Sequence, residues 1–152
     1  FTQYSQFSGK TVGEIFQLEA LRASFQYEAN TFKSMVLLNE GGTFKKIPLP
    51  DEAQIAPVFA FESLDLNGDG WQDLVLGGNL EWAATYFGAH DSSYGLVLLG
   101  NGDGTFEPLK SSESGLLVKG DIRSIKKVAG ANGLTYLVVG RNNETALVYQ
   151  VN

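Results

Sequence analysis

Short apolar stretches that alternate with polar positions run through most of this chain. Gly, Asn and Asp turns separate them. Alternation with period two is the mark of a strand with one buried face. On that basis strands are expected at 24–29, 33–39, 43–47, 56–64, 73–79, 94–100, 104–108, 121–128, 134–140 and 145–151. One segment follows a different period. Ile15, Phe16, Leu18, Ala20 and Leu21 recur at roughly helical spacing behind Thr11-Val12-Gly13-Glu14, a Thr-x-x-Glu capping pattern. The spacing predicts one short amphipathic helix over 12–22. The longest interruption, Leu80–Ser93, holds Trp82, Tyr86, Phe87 and His90. Long loops of this kind carry function or pack on a neighbour.

The strands repeat as groups. Leu37-Leu38-Asn39-Glu40-Gly41-Gly42-Thr43-Phe44 returns as Leu99-Gly100-Asn101-Gly102-Asp103-Gly104-Thr105-Phe106, and Leu74-Val75-Leu76-Gly77-Gly78-Asn79 returns as Leu137-Val138-Val139-Gly140-Arg141-Asn142. The two offsets, 62 and 63 residues, nearly agree, so one multi-strand unit is duplicated. Repeated groups of four short strands with tight turns suggest β-propeller blades. The expected fold is mainly β: about two and a half four-stranded antiparallel blades after one short N-terminal helix. A partial blade would span 24–47, a full blade 56–109 and a degenerate last blade 121–151. That last unit shows three strands and no fourth, leaving an open edge. Pairing of the edge with a second chain, or cover by the N-terminal segment, is expected.

Composition narrows the chemistry. The chain has 152 residues, enough for one domain with a core. A net charge of −6 argues against a nucleic-acid footprint and against adsorption to anionic lipid. With no cysteine there is no disulfide or thiolate metal site, and a small β domain without disulfides could use a metal as a staple instead. No apolar run is long enough to span a membrane. The chain starts at Phe1 without a signal-peptide pattern, so a processed or excised piece of a longer protein is expected.

The strongest chemical signal is Asp65-Leu66-Asn67-Gly68-Asp69-Gly70-Trp71-Gln72-Asp73, between two predicted strands. Calcium takes six to eight oxygen ligands. Asp65, Asn67 and Asp69 alternate so that three side-chain oxygens can turn inward. Gly70 permits the sharp turn, the Trp71 carbonyl can add a main-chain oxygen, and Asp73 can close the cage. An EF-hand needs Glu at the twelfth loop position and flanking helices, whereas Leu76 stands there between strands. Asn101-Gly102-Asp103-Gly104 reads as a plain hairpin turn. The matching stretch Val128–Tyr136 has no carboxylate, so no metal is expected there.

At these residues the chain resembles the FG-GAP/VCBS repeats of bacterial envelope β-propellers. Leu49–Pro57, Asp91–Leu96 and Ser114–Arg123 are similar to the C-terminal end of large VCBS-repeat proteins related to the ASPIC/UnbV group. The resemblance covers about residues 12–152. It implies a propeller that binds calcium through Asp65, Asn67, Asp69 and Asp73 with the Trp71 carbonyl. Asn67 departs from the more common Asp but keeps an oxygen. The resemblance further implies an exported bacterial protein at the cell surface or in the periplasm, and a segment of a larger propeller chain. Its members usually have no established enzymatic activity. Integrin-like propellers share the repeat, which suggests adhesion by analogy.

Three functional classes follow. The first is a non-catalytic module with a structural or ligand-binding, adhesive role. The second is a carbohydrate binder whose 80–94 loop uses Trp82, Tyr86, His90 and Asp91 to stack on and hydrogen-bond a sugar. An enzyme is the third and the least supported. His90 and Asp91 are chain neighbours whose side chains point apart in an extended segment. Ser8, Ser24 and Ser34 lie in no nucleophile elbow, and no phosphate-binding Gly-x-x-x-x-Gly-Lys motif occurs. No catalytic residue is assigned.

Overall fold

The computed structural model describes residues 3–82, 86, 88–131 and 133–151. They fall into two units, one ending at Phe32 and one starting at Lys33.

In the first unit the expected single helix is two. α1 covers Val12–Ile15 and α2 covers Leu18–Ala23, with Phe16 and Gln17 extended between them. Glu14 accepts hydrogen bonds from the Thr11 N–H (2.7 Å) and hydroxyl (2.8 Å), so the start of the helix follows the sequence pattern. Those bonds, the backbone one first, hold the Glu14 carboxyl below its ordinary pKa. Neither helix buries a residue. Helices this short gain little without an apolar face to pack, which accounts for the break. The strand expected at 24–29 is absent too. Phe25, Tyr27 and Phe32 are 91%, 93% and 85% exposed, and a strand needs a partner for its ladder groups.

The second unit is mainly β, with nine strands in three antiparallel sheets. β1 (Met35–Asn39) pairs with β2 (Phe44–Pro48). β3 (Val58–Leu64), β4 (Asp73–Gly78), β5 (Leu96–Gly100) and β6 (Phe106–Leu109) form a four-stranded meander in chain order. β7 (Ile122–Ala129), β8 (Thr135–Arg141) and β9 (Glu144–Val151) form a three-stranded one. The other nine expected strands are thus present. Two short elements of this unit were not anticipated: a 3-10 turn at Asp51–Gln54 and a helix, α3, at Ser111–Ser114. Gln54 explains the first. Its side chain bonds both the N–H (2.8 Å) and the carbonyl (2.9 Å) of Ser34, and the Leu49 carbonyl (3.0 Å), tying the start of β1 to the chain after β2.

Strand alternation divides the middle sheet between two cores. Val75 and Val97 turn toward a cluster with Ala60, Leu64, Leu116, Val118, Ile122, Ile125, Leu137 and Val139. The intervening Leu76 and Leu98 turn the other way, onto Leu49 and Ala53, with Val36 and Phe106 against them. Sheet β3–β6 is therefore covered on both faces. β3 and β7, the first strands of their sheets, pack against each other. Arg123 lies 4.5 Å over the Phe59 ring, and Lys126 reaches Glu62 at 3.5 Å.

Close packing explains the glycine pair that ends β4, Gly77 against the stacked β7 and Gly78 against the chain entering β3 in its own sheet. A Cβ on Gly77 would lie 2.5 Å from Ile122 Cδ1, and one on Gly78 would lie 1.6 Å from the Pro57 carbonyl oxygen. Gly77→Ala is expected to cost about 1–3 kcal/mol by overpacking against buried Ile122. Gly78→Ala should cost more, because backbone has to move. Urea unfolding midpoints check the order; equal midpoints for the two variants and the parent would contradict this packing.

Candidate metal centre

The 65–73 loop joins β3 to β4 and curls by local bonds. Asp65 accepts from the N–H of Gly68 (2.7 Å) through one oxygen and of Gly70 (2.9 Å) through the other. Asn67 Oδ1 accepts from the Asp69 N–H (3.1 Å), and its amide donates to Asp69 Oδ2 (2.8 Å). Asp69 Oδ1 accepts from the Trp71 N–H (2.8 Å). These are side-chain turns of the Asx kind. Gly68 and Gly70 sit at φ +76° and +91°, where a side chain would be strained.

Asp73 stands apart from its fellows. It is fully buried. Its Oδ2 accepts from the Leu66 N–H at 2.7 Å and its Oδ1 from the Gly100 N–H at 2.8 Å. One carboxylate thereby ties the loop to the end of β5. The ion pairs among the described residues are Arg123–Asp121, Lys126–Glu62 and Arg141–Glu144, so no basic side chain there offsets Asp73. Burying a carboxylate without a cation is costly.

Among the described residues, no three His, Asp or Glu side chains are gathered into a group that could hold a metal. The chemistry of the donor set nevertheless fits calcium. The candidate donors are all hard oxygens: three carboxylates, one amide and one carbonyl. Every carboxylate oxygen of Asp65, Asp69 and Asp73 accepts a single N–H. Each has a second lone pair to offer.

The Asn101–Gly104 turn holds itself together. Asp103 accepts from the Thr105 hydroxyl (2.6 Å) and N–H (2.9 Å) through one oxygen. Those bonds, the hydroxyl first, lower its pKa. The Trp71 ring lies so close that a Cβ on Gly102 would come within 2.6 Å of it. The turn after β7 closes through backbone, with Gly130 N–H on the Leu134 carbonyl at 2.8 Å.

The expected ligand-binding residues of the 80–93 segment are only partly drawn together. Leu80 and His90 exchange two backbone hydrogen bonds that pinch its base (2.8 and 3.0 Å). Beyond it Trp82 and Tyr86 are 77% and 82% exposed. Phe87 lies outside the described residues. Asp91 joins Glu81, Tyr94, Lys119 and Glu144 around a polar hollow of about 240 Å³; Trp82, Tyr86 and His90 are not in its lining.

Beneath the hollow is a polar network that sequence reasoning missed. Buried Asn79, at φ +78°, donates to the carbonyls of Ser93 (2.6 Å) and Gly120 (3.2 Å) and accepts from the Ser93 N–H (3.0 Å). Buried Asp121 accepts from the Glu81 N–H (2.8 Å) and from Arg123 (2.9 Å), and Arg123 also donates to the Asn79 carbonyl (3.0 Å). Asn79 closes the repeated Leu-Val-Leu-Gly-Gly-Asn motif, and that position was the available signal.

Asp73→Asn places an NH2 against one of two backbone N–H donors. It is expected to cost about 1–3 kcal/mol, read by urea unfolding in the presence of a chelator. Unchanged stability would mean that the two hydrogen bonds do not hold the loop.

In comparisons with known proteins, the chain matches no family model, no curated protein and no solved structure.

Proposed function

We propose that this chain is a non-catalytic, calcium-stapled segment of a β-propeller in an exported bacterial protein, with a structural or adhesive, ligand-binding role. The observation that carries the reading is the oxygen-only loop with its buried carboxylate, set between two strands of a sheet covered on both faces. Stacked meanders whose first strands meet along β3 and β7 support the propeller part. The exported, adhesive part rests on the resemblance to FG-GAP/VCBS repeats. Asp65, Asn67, Asp69 and Asp73 would hold the ion, with the Trp71 carbonyl. Bound calcium would supply positive charge to three carboxylates that have no basic partner among the described residues. Its role is to fix the β3–β4 connection, so it acts on stability.

A ligand present at about 100 times its dissociation constant stabilises the folded state by about 2.7 kcal/mol. In a chain of this size that raises Tm by roughly 5–10 °C. Calorimetry of the full chain in calcium and in chelator should show that rise, and Asp69→Asn should reduce it. A Tm indifferent to calcium would overturn the metal assignment.

A second reading is favoured by exposed Trp82, next in sequence to Glu81 of the polar hollow. An exposed aromatic face on the chain that also carries Glu81 into the hollow suits a sugar. A glycan array probed with the parent and with Trp82→Ala should show binding only for the parent. No binding to any glycan would remove this reading.

A further inference from the structure

The chain from Trp71 to Asp73 lies against the turn between β5 and β6, residue by residue. A Cβ on Gly102 would come 2.6, 2.7 and 2.8 Å from Cδ2, Cε2 and Cε3 of the Trp71 ring. Such near-equal distances to three adjoining ring atoms put Gly102 over the ring face. The Gln72 carbonyl oxygen lies 2.2 Å from where a Cβ of Gly100 would be. Asp73 Oδ1 accepts from the Gly100 N–H at 2.8 Å. The turn is held closed by Asp103, which accepts from the Thr105 hydroxyl and N–H.

The duplicated motif supplies an internal comparison. At the 62-residue offset, Thr105 and Phe106 match Thr43 and Phe44, but Gly100 and Gly102 stand where the first copy has Leu38 and Glu40. The residues that correspond to the 65–73 loop at that offset, 3–11, contain no carboxylate. The copy with a carboxylate loop therefore has glycine at the two places where a side chain would strike that loop.

We propose that the Trp71 side chain and Gly102 are positioning residues of the calcium loop, with the indole ring seated on the glycine. The proposal rests on the metal assignment made above. The Trp71 carbonyl is a candidate donor, and the Trp71 N–H holds Asp69 Oδ1 at 2.8 Å. Seating the ring thus places the Trp71 carbonyl and Asp69 together. With Asp73 fixed on Gly100, these donors are tied to one turn 27 residues or more along the chain from Asp73. Asp65 and Asn67 are ordered by bonds within the loop. Donors ordered before the ion arrives lose less freedom when it binds.

Trp71 is 52% exposed, so its substitution spares the core. Calcium is titrated calorimetrically into the full chain and its variants, each with a circular dichroism spectrum like the parent's in chelator. Trp71→Ala should weaken binding about tenfold, the low end of what is lost with a group that orients metal ligands. Trp71→Phe keeps a ring on the glycine and should recover most of that loss. Gly102→Ala should weaken binding in the parent but add nothing to Trp71→Ala, because the ring it displaces is then gone. Three results overturn the inference and leave the metal assignment standing: Trp71→Ala binding as tightly as the parent, Trp71→Phe binding as weakly as Trp71→Ala, or Gly102→Ala acting equally in both backgrounds. A parent that binds no calcium overturns both.

Discussion

Two hydrogen bonds to one buried carboxylate set the geometry of the candidate centre. Asp73 starts β4, and its oxygens hold the Leu66 N–H on one side and the Gly100 N–H on the other. The loop and the end of β5 are thereby fixed to a single point. The approach leaves no room for a side chain at Gly100, where a Cβ would lie 2.2 Å from the Gln72 carbonyl oxygen. The register of β4 against β5, with Leu74 opposite Leu98 and Val75 opposite Val97, continues from that point. That register decides which residues face which core, since a slip of one residue would exchange the two faces.

What was legible in the sequence was local. Alternation and turn glycines located β1 to β9, because a half-buried strand writes its period directly into the chain. The 65–73 loop was legible for the same reason. Its Asx turns close over two to five residues, and the side chains that form them are the ones the pattern names. The single helix over 12–22 came out as two, Val12–Ile15 and Leu18–Ala23, and strand 24–29 did not form, because their patterns promised burial that the first unit does not supply. The periodicity of Ile15, Phe16, Leu18 and Leu21 was real, but no core received it.

The parts that were not legible join residues far apart in sequence. Asp73 meets Gly100 across 27 residues, and Arg123 meets the Asn79 carbonyl across 44. Asp73 could be named as an oxygen donor from its spacing, but nothing local shows that both of its oxygens accept backbone bonds. Asn79 stood at the end of the expected strand 73–79. Only the assembled fold shows its amide joining the Ser93 segment to Gly120.

The Asn79–Asp121–Arg123 network holds the stacked sheets in register, whereas Asp73 holds the loop and strands of the middle sheet. Apolar contacts between the middle and last sheets are non-directional, and Val, Ile and Leu faces alone would tolerate sliding. The Asn79–Asp121–Arg123 network fixes one end of the stack through directed bonds. Breaking it would leave buried polar groups unpaired, each a cost of about 1–3 kcal/mol. Asp73 gives comparable direction where the loop enters β4, but its charge has no basic partner among the described residues, whereas Asp121 has Arg123. That asymmetry is the physical case for a cation at the loop. Asp121 balances its charge within the chain, and the three loop carboxylates would take theirs from calcium. An ion in that role steadies a connection between strands already paired by backbone bonds, which is the work of a staple rather than a switch.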